Sequence, residues 1–279
     1  MSVYSLASYQ SSLQANAEFI FEVTKLAITF FEFKFNVTYP FNKYDTVFCH
    51  EYAIGAMENP GVVTFNDAKF LFNETVSEEQ MLYFAEVICH ECSHSWFGDL
   101  VTMKWFDDTW LKESFADFMA FSCLQDLKDK VTTIPQYTSG WLGCLKRAVG
   151  GYREDQLSTT HPVRSVVPNT NLAKMYFDGI TYRKGMMTLK QLSFLMGSVN
   201  FFKGVTDYFN KFPFGNGTID DFLACVSPYY TNPDPNYTLE VWKQMWLLTS
   251  SLNVLTSEWD PLSTSPTSTL TIRQTNYSS

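Results

Sequence analysis

The sequence has few cysteines, no long apolar run and no excess of basic residues. Its six cysteines are too sparse and too irregularly spaced for a disulfide framework, so we expect mostly buried free thiols. No apolar run approaches the roughly 18 residues of a membrane-spanning helix. The first residues have neither the basic start nor the apolar stretch of a signal peptide. We expect a cytoplasmic location, with a membrane-anchored or secreted parent protein as the alternative.

The charge balance restricts the partners of the protein. The formal net charge is −9, which argues against a nucleic-acid partner and is compatible with a cationic ligand. The 279 residues are 46% hydrophobic, which is enough for a sizeable core in one or two domains. Aromatic residues make up 17% of the chain, which favours a well-packed core and is compatible with an apolar cleft.

The strongest chemical signal begins at His90. His90 and His94 are four positions apart, so on an α-helix their side chains lie on one face, about a turn apart. Two neutral imidazoles placed in this way can bind one zinc ion. Glu91 lies about 100° around the helix from His90, so its carboxylate flanks the two ligands. This position suits a general base that acts on a zinc-bound water.

Glu113 is the candidate third ligand. Eighteen residues lie between His94 and Glu113, enough for the helix to end, for a loop through Gly98 and Asp99, and for a second helix to return antiparallel. Three protein ligands plus water form the open arrangement of a catalytic zinc, whereas structural zinc usually has four ligands. The sequence therefore predicts one catalytic zinc ion per chain.

Apolar periodicity predicts several helices and a few short strands, with the back half of the chain mostly helical. Asp107 and Asp108 precede the second zinc-motif helix, where they could cap its positive end or orient a liganding imidazole. His50 and His161 have no ligand partner at a useful spacing, and we expect structural roles for both. Helical patterns cover residues 15–31, 78–94, 110–127, 200–209, 219–225 and 239–248, and strand patterns cover residues 46–53, 62–65 and 269–274.

Two further segments carry candidate site residues. Between the first two predicted strands lies a glycine-containing segment that could form a sheet edge along a cleft, where its glutamate could bind an amine. The alternative is an acidic residue in an exposed turn. Tyr182 begins another helical pattern, and a phenol at the mouth of a cleft can donate a hydrogen bond to an oxyanion. A tyrosine is more often a core or surface residue. The glycine-containing segment consists of Gly55, Ala56, Met57, Glu58 and Asn59.

Taken together, three motifs resemble the aminopeptidase N family of gluzincin metallopeptidases. They are the 55–59 segment, the zinc motif with its distant glutamate, and the sequence DGITYRKG at residues 178–185. The resemblance covers roughly residues 15–250. It implies an α+β fold, the thermolysin-like catalytic domain, in which zinc lies between a small sheet lobe and a mainly helical lobe.

The resemblance also implies a function and a role for each site residue. The protein would be a zinc-dependent aminopeptidase that releases N-terminal residues from peptides with a free amine. Glu58 would bind that amine within the substrate-binding 55–59 segment, where Gly55 and Ala56 touch the peptide backbone. Glu91 would be the base and Tyr182 the hydrogen-bond donor in the transition state.

The sequence departs from the family in two respects. Lys112 and Ser114 flank Glu113 where the family typically has Asn and Gly. Family members usually carry a large N-terminal β-domain, which the residues before Ala15 cannot supply. We therefore expect residues 1–250 to form a catalytic domain with a poorly defined lead-in over 1–14. Residues 251–279 would be a linker and the first strand of a truncated β-sandwich, and the chain a fragment or a minimal form.

Two other functions stay open at this stage. The chain could be a truncated, non-catalytic fragment that binds zinc or peptides without turnover. It could also be another gluzincin hydrolase, either an endopeptidase or an epoxide hydrolase. Glu58 argues against the endopeptidase because its carboxylate would clash with an internal peptide.

Overall fold

A computed structural model describes residues 1–72, 76–133, 139–232 and 234–250, together with the backbone of residues 254–258 and 271–275. The described part of the chain is mixed α/β, mostly helical with small sheets. Its ten α-helices are α1 (Gln10–Phe35), α2 (Asp67–Phe70), α3 (Glu78–His94), α4 (Trp110–Leu127), α5 (Gly140–Glu154), α6 (Thr170–Ala173), α7 (Gly185–Met196), α8 (Ser198–Lys211), α9 (Ile219–Val226) and α10 (Leu239–Trp246).

The strands form one four-stranded sheet and two pairs. The four-stranded sheet has the order β1-β2-β4-β3, in which β1, β2 and β4 are parallel and the edge strand β3 is antiparallel to β4. One pair, β5 and β6, is parallel, and the other, β7 and β8, is antiparallel. The strands are β1 (Val3–Tyr4), β2 (Asp45–Cys49), β3 (Ala56–Met57), β4 (Val62–Asn66), β5 (Val101–Met103), β6 (Gly215–Gly217), β7 (Val254–Glu258) and β8 (Thr271–Thr275).

The predicted helices of the zinc motif are confirmed, while the first 14 residues hold more structure than the sequence indicated. Strand β1 pairs with β2, and the Ser2 amide donates to Asp45 Oδ1 at 2.9 Å. Helix α1 also begins earlier and ends later than the 15–31 pattern. Its end is set at Asn36, whose φ of 51° places it in the left-handed conformation that commonly terminates helices.

Helix α3 is built to present a buried face. Ser77 and Gln80 form a capping box that satisfies backbone donors at its start. Its apolar residues Ala85, Ile88 and Cys92 are almost fully buried, and the helix packs against α1 and α4. Cys92 donates its thiol hydrogen to Tyr44 Oη at 3.2 Å, so it faces the core as predicted. All six cysteines are free, and every one except the half-buried Cys49 is buried.

A five-residue π-helix, Ile180–Lys184, leads directly into α7. The amide of Gly185 donates to the carbonyl of Ile180, five residues earlier. Helix α4 packs against this π-helix, and its Ser114 Oγ donates to the Thr181 carbonyl at 2.5 Å. Lys184 forms a buried ion pair with Asp155 at 2.9 Å, which ties the same turn to the end of α5.

Gly185 is the contact point between α7 and α4, and we expect Gly185→Ala to destabilise the fold. A Cβ atom there would overlap Ser114 Oγ and lie 2.9 Å from Ser114 Cβ. Overpacking of this kind costs about 1–3 kcal/mol, which exceeds the gain of about 1 kcal/mol from placing alanine in a helix. Thermal unfolding should therefore show a lower Tm. Adding Ser114→Gly should recover part of the loss, and an unchanged Tm in the single variant would contradict this packing.

Only short parts of the chain after residue 250 are described. Strand β8 overlaps the predicted strand over 269–274, whereas most of the predicted 251–279 linker lies outside the described residues. The assignment of this region to a β-sandwich stays a prediction. Among the described residues, no helix combines the length and apolar character that crossing a membrane requires.

Candidate metal centre

Helices α3 and α4 bring the three predicted ligands together. His94, at the end of α3, meets Glu113 in the first turn of α4, while His90 also contacts Asp117 one turn further on. The two helices are therefore antiparallel, as predicted. His90 Nε2 lies 3.0 Å from His94 Nε2 and 3.5 Å from Glu113 Oε2, and His94 Nε2 lies 3.4 Å from the same oxygen.

These separations fit a zinc ion. Ligand atoms about 2.0–2.2 Å from a tetrahedral zinc lie about 3.3 Å apart, close to the spacing of the three atoms. Glu113 and His94 are almost fully buried, and His90 is partly buried. Two nitrogens and one oxygen are also a donor set typical of catalytic zinc sites. The three residues are thus able to bind a zinc ion while leaving a fourth position open.

Both imidazoles are oriented by a hydrogen bond from the ring nitrogen that faces away from the centre. His94 Nδ1 lies 2.9 Å from the carbonyl oxygen of Phe97, and His90 Nδ1 lies 2.8 Å from Asp117 Oδ1. Each Nδ1 therefore carries the proton and donates it, which leaves the Nε2 lone pair directed towards the metal position.

The sequence offered two roles for Asp107 and Asp108, capping α4 or orienting a liganding imidazole, and the structure shows neither. Asp108 lies at the start of α4 but binds Arg164 Nε at 2.9 Å and accepts from the Ile219 amide at the start of α9. Asp107 accepts from the Val167 amide at 2.7 Å. Neither carboxylate caps α4, whose N-cap Thr109 has no side-chain cap. Asp107 instead anchors the loop at Val167, and Asp108 anchors Arg164 and the start of α9. Both acids precede α4 rather than lying on its inner face, so they do not meet the imidazoles.

Asp117 was missed although the sequence held a signal for it. It follows Glu113 by four residues, so both carboxylates lie on one face of α4. His90 precedes His94 by the same interval on the antiparallel helix. A second carboxylate at this spacing is therefore placed to meet the second histidine.

We expect Asp117→Ala to weaken zinc binding about 10- to 100-fold, because loss of a hydrogen-bond partner behind a metal ligand has this effect. His90 would lose the acceptor that fixes its ring and its tautomer. Zinc affinity should be measured by competition with a chelator of known affinity. Asp126→Ala is the control, since Asp126 lies on the same helix and forms an ion pair with the exposed Lys130. Equal zinc affinities in the two variants would contradict the orienting role.

Glu91 lies inside the site with one oxygen unpaired. It is 6% exposed, and its Oε2 has no hydrogen-bond partner among the described residues. Burial raises the pKa of its carboxyl to about 7, against the lowering effect of His90 and His94. A buried carboxylate that lacks a partner in a water-accessible cleft is placed to bind and deprotonate a water molecule.

Tyr182 reaches the same centre from the π-helix. Its ring stacks on that of His90 with a centroid separation of 6.1 Å. Burial and the neighbouring Glu113 carboxylate raise the pKa of the phenol far above its ordinary value. The hydroxyl therefore stays protonated at neutral pH and can donate its hydrogen either to the neighbouring Glu113 carboxylate or to a substrate oxygen.

The 55–59 segment lies partly in the cleft. A cavity of about 900 Å³ is lined by the two histidines, Glu91, Glu113, Tyr182 and the first four residues of the segment. Ala56 and Met57 form the edge strand β3. Asn59 is exposed and instead donates to Thr64 Oγ1 at 3.3 Å, where it supports the turn into β4.

Lys112 forms two largely buried ion pairs that the sequence did not predict. Its Nζ lies 2.5 Å from Glu58 Oε1 and 2.8 Å from Glu113 Oε1. Burial alone would raise the pKa of Glu58, but His94 and Lys112 lower it to about 2. Glu58 is therefore ionised throughout the physiological range.

The two remaining histidines have structural contacts, as predicted. His161 Nε2 lies 2.7 Å from Asp178 Oδ2, and His50 Nδ1 lies 3.0 Å from Asp67 Oδ2. Within the described part of the chain, neither belongs to a cluster of three possible metal ligands. The Asp178 carboxylate also accepts from the amides of Ile180 and Thr181 and so supports the π-helix that carries Tyr182.

Comparison with known proteins identifies related sequences. The Peptidase family M1 domain matches residues 19–234. Aminopeptidase N of Streptomyces lividans is 38% identical over 263 residues, which cover 92% of this chain and 29% of that protein. Probable aminopeptidase 1 of Saccharolobus solfataricus is 38% identical over 75% of the chain and 26% of its own length. The alanine/arginine aminopeptidase of Saccharomyces cerevisiae is 37% identical over 75% of this chain and 24% of its own length. The chain thus spans between about a quarter and 29% of these relatives.

Proposed function

Because this chain belongs to peptidase family M1, we propose that it is a zinc-dependent aminopeptidase that hydrolyses the first peptide bond of peptides with a free amino terminus. The observation that carries the proposal is the meeting of a three-ligand metal centre, a buried unpaired glutamate and the Glu58 carboxylate in one cleft. The names of the relatives support the same reaction class.

His90, His94 and Glu113 would bind one zinc ion per chain. Bound zinc supplies Lewis acidity, which lowers the pKa of a coordinated water and polarises the scissile carbonyl. Asp117 and the Phe97 carbonyl hold the two imidazoles in the tautomer that metal binding requires.

Glu91 would act as the general base and then as the general acid. Its unpaired Oε2 accepts a proton from the attacking water, and the same carboxyl then donates that proton to the leaving amine. Burial raises the pKa of this carboxyl above its ordinary value, which favours uptake of the proton from water.

Tyr182 and Glu58 would act on the substrate itself. The protonated hydroxyl of Tyr182 donates a hydrogen bond to the oxygen that becomes negative when the carbonyl is attacked. The ionised carboxylate of Glu58 accepts hydrogen bonds from the α-ammonium group. Gly55 and the edge strand β3 after it, with Ala56 and Met57, offer backbone for contact with an extended peptide. Asn59, outside the cleft lining, would contribute only by holding the turn.

We also propose the finer architecture that accompanies this activity. Residues 1–250 would form a thermolysin-like domain, with the four-stranded sheet in one lobe, the helices after α3 in the other and the metal between them. Residues 251–279 would be a linker and the first strand of a β-sandwich. The location in the cytoplasm stays a prediction.

The first test of this function is metal-dependent hydrolysis by the 279-residue chain. We expect about one zinc per chain, cleavage of aminoacyl chromogenic amides, loss of activity with a chelator and recovery on adding zinc. The N-acetylated forms of the same amides should not be cleaved. Zinc binding without turnover would favour a non-catalytic fragment, and cleavage of acetylated peptides would favour an endopeptidase.

A further inference from the structure

The ammonium group of Lys112 lies where a substrate amine would be expected to bind. It bridges Glu58 Oε1 and Glu113 Oε1 at 2.5 and 2.8 Å, with its side chain only 14% exposed. The ring of Phe177 lies to one side, with its centroid 5.6 Å from Nζ. This position combines two carboxylates and an aromatic ring, which are the groups that recognise an alkylammonium ion.

The Lys112 head group and a peptide's α-ammonium have the same chemistry. Each carries one positive charge and three N–H donors. Lys112 binds Glu58 Oε1, and a substrate amine would bind the same carboxylate oxygen. Both cations cannot occupy one bridging position between the same two carboxylates, because they would repel each other.

The arrangement is compatible with metal binding. Lys112 contacts Oε1 of Glu113, whereas Oε2 of the same carboxylate faces His90 and His94. The lysine therefore does not take the oxygen that a metal would need. Its stem runs past Gly98, where an added Cβ would lie 3.5 Å from Lys112 Cβ and Cδ, and the head group ends at Glu58.

We propose that Lys112 is a specificity-determining residue whose ammonium group occupies the amine-binding position, so that a substrate must displace it from Glu58. This inference rests on the proposed aminopeptidase function. Displacement exchanges one cation for another on the same carboxylates, so the gain from binding the α-amine is largely offset by the lost lysine contact. The site then binds free amines only weakly.

Two hydroxamic acids that differ only in the amine test the proposal. Leucine hydroxamic acid carries an α-amine, and 4-methylpentanoic hydroxamic acid is the same molecule without it. Isothermal titration of both into the zinc-loaded protein gives the ratio of their affinities, which measures the contribution of the amine without any turnover. In the unmodified chain we expect a ratio within about threefold, because the amine gains the ion pair that the lysine loses and only the difference contributes to affinity.

Lys112→Asn should raise this ratio by at least about tenfold, since the amine would then bind a buried and unpaired Glu58 carboxylate. Lys112→Gln is the second variant and keeps more of the stem. Lys130→Asn is the matched control, because it removes a lysine charge from an exposed position beyond the end of α4 and should leave the ratio unchanged.

The outcomes separate this proposal from the proposed function. A ratio that rises in the Lys112 variants supports the displacement even if the chain cleaves no amide. A ratio that does not rise overturns it even if the chain is an active peptidase. A ratio above about tenfold in the unmodified chain overturns it without any variant.

Discussion

Glu91→Gln is expected to lower kcat/KM for an aminoacyl amide by about 10³-fold while the zinc content stays unchanged. The amide side chain fits the same space but cannot accept a proton from water, and general-base catalysis contributes about 10²- to 10⁴-fold. Because Glu91 is not among the three predicted ligands, the metal should stay bound. Steady-state kinetics with metal analysis of the same preparation tests both parts of the expectation.

Glu86→Gln is the control for this substitution. Glu86 lies on the same helix and lines the same cleft, but it pairs with Arg147 at 2.9 Å. We expect its loss to change kcat/KM by less than about tenfold, as for a residue that only shapes the cleft. Similar losses in the two variants would show that any change of cleft charge is harmful, and the role of Glu91 as base would be rejected.

Tyr182→Phe has the second largest expected effect, a fall in kcat of about 10²- to 10³-fold with KM within about threefold. The hydroxyl is the only group removed, and the ring can keep its stack on His90. A donor that binds the oxyanion acts in the transition state and much less in the ground state, so kcat carries the loss. Full kinetic curves for one amide separate the two constants.

Tyr176→Phe serves as the comparison for the tyrosine. Tyr176 lies six residues earlier and packs its ring against His161, with centroids 4.9 Å apart. Its kinetic constants should match those of the unmodified chain. If Tyr182→Phe raised KM and left kcat unchanged, the hydroxyl would be a ground-state binding group, and the transition-state role would be wrong.

The convergence of the three candidate ligands could be predicted from the sequence because it depends on local geometry. The relation between His90 and His94 follows from helical periodicity alone, and the path to Glu113 needs only one turn between two helices. The same periodicity would have identified Asp117. The prediction for Asp107 and Asp108 failed because their partners come from residues 164–219, and no local pattern reveals such contacts.

Contacts between distant segments were the part that the sequence did not predict. Lys112 and Glu58 are 54 residues apart, and the substitution at position 112 could be noticed without knowing what it would contact. Strand β1 has two residues, too few for any periodicity, and it exists through its pairing with β2. Helix existence was predicted well, whereas the bounds of α1 were not, since tertiary packing extends it beyond its periodic segment.

The π-helix over Ile180–Lys184 makes the position of Tyr182 depend on chain length. A π-turn contains one residue more than an α-turn, so this segment is equivalent to a single-residue insertion in a continuous helix. Deleting one residue would let α-type bonds form and would rotate the residues before the deletion by about 100° relative to α7. Tyr182 would then leave His90 although its side chain was intact. A change of length at this segment should therefore displace Tyr182 even when every other side chain is kept.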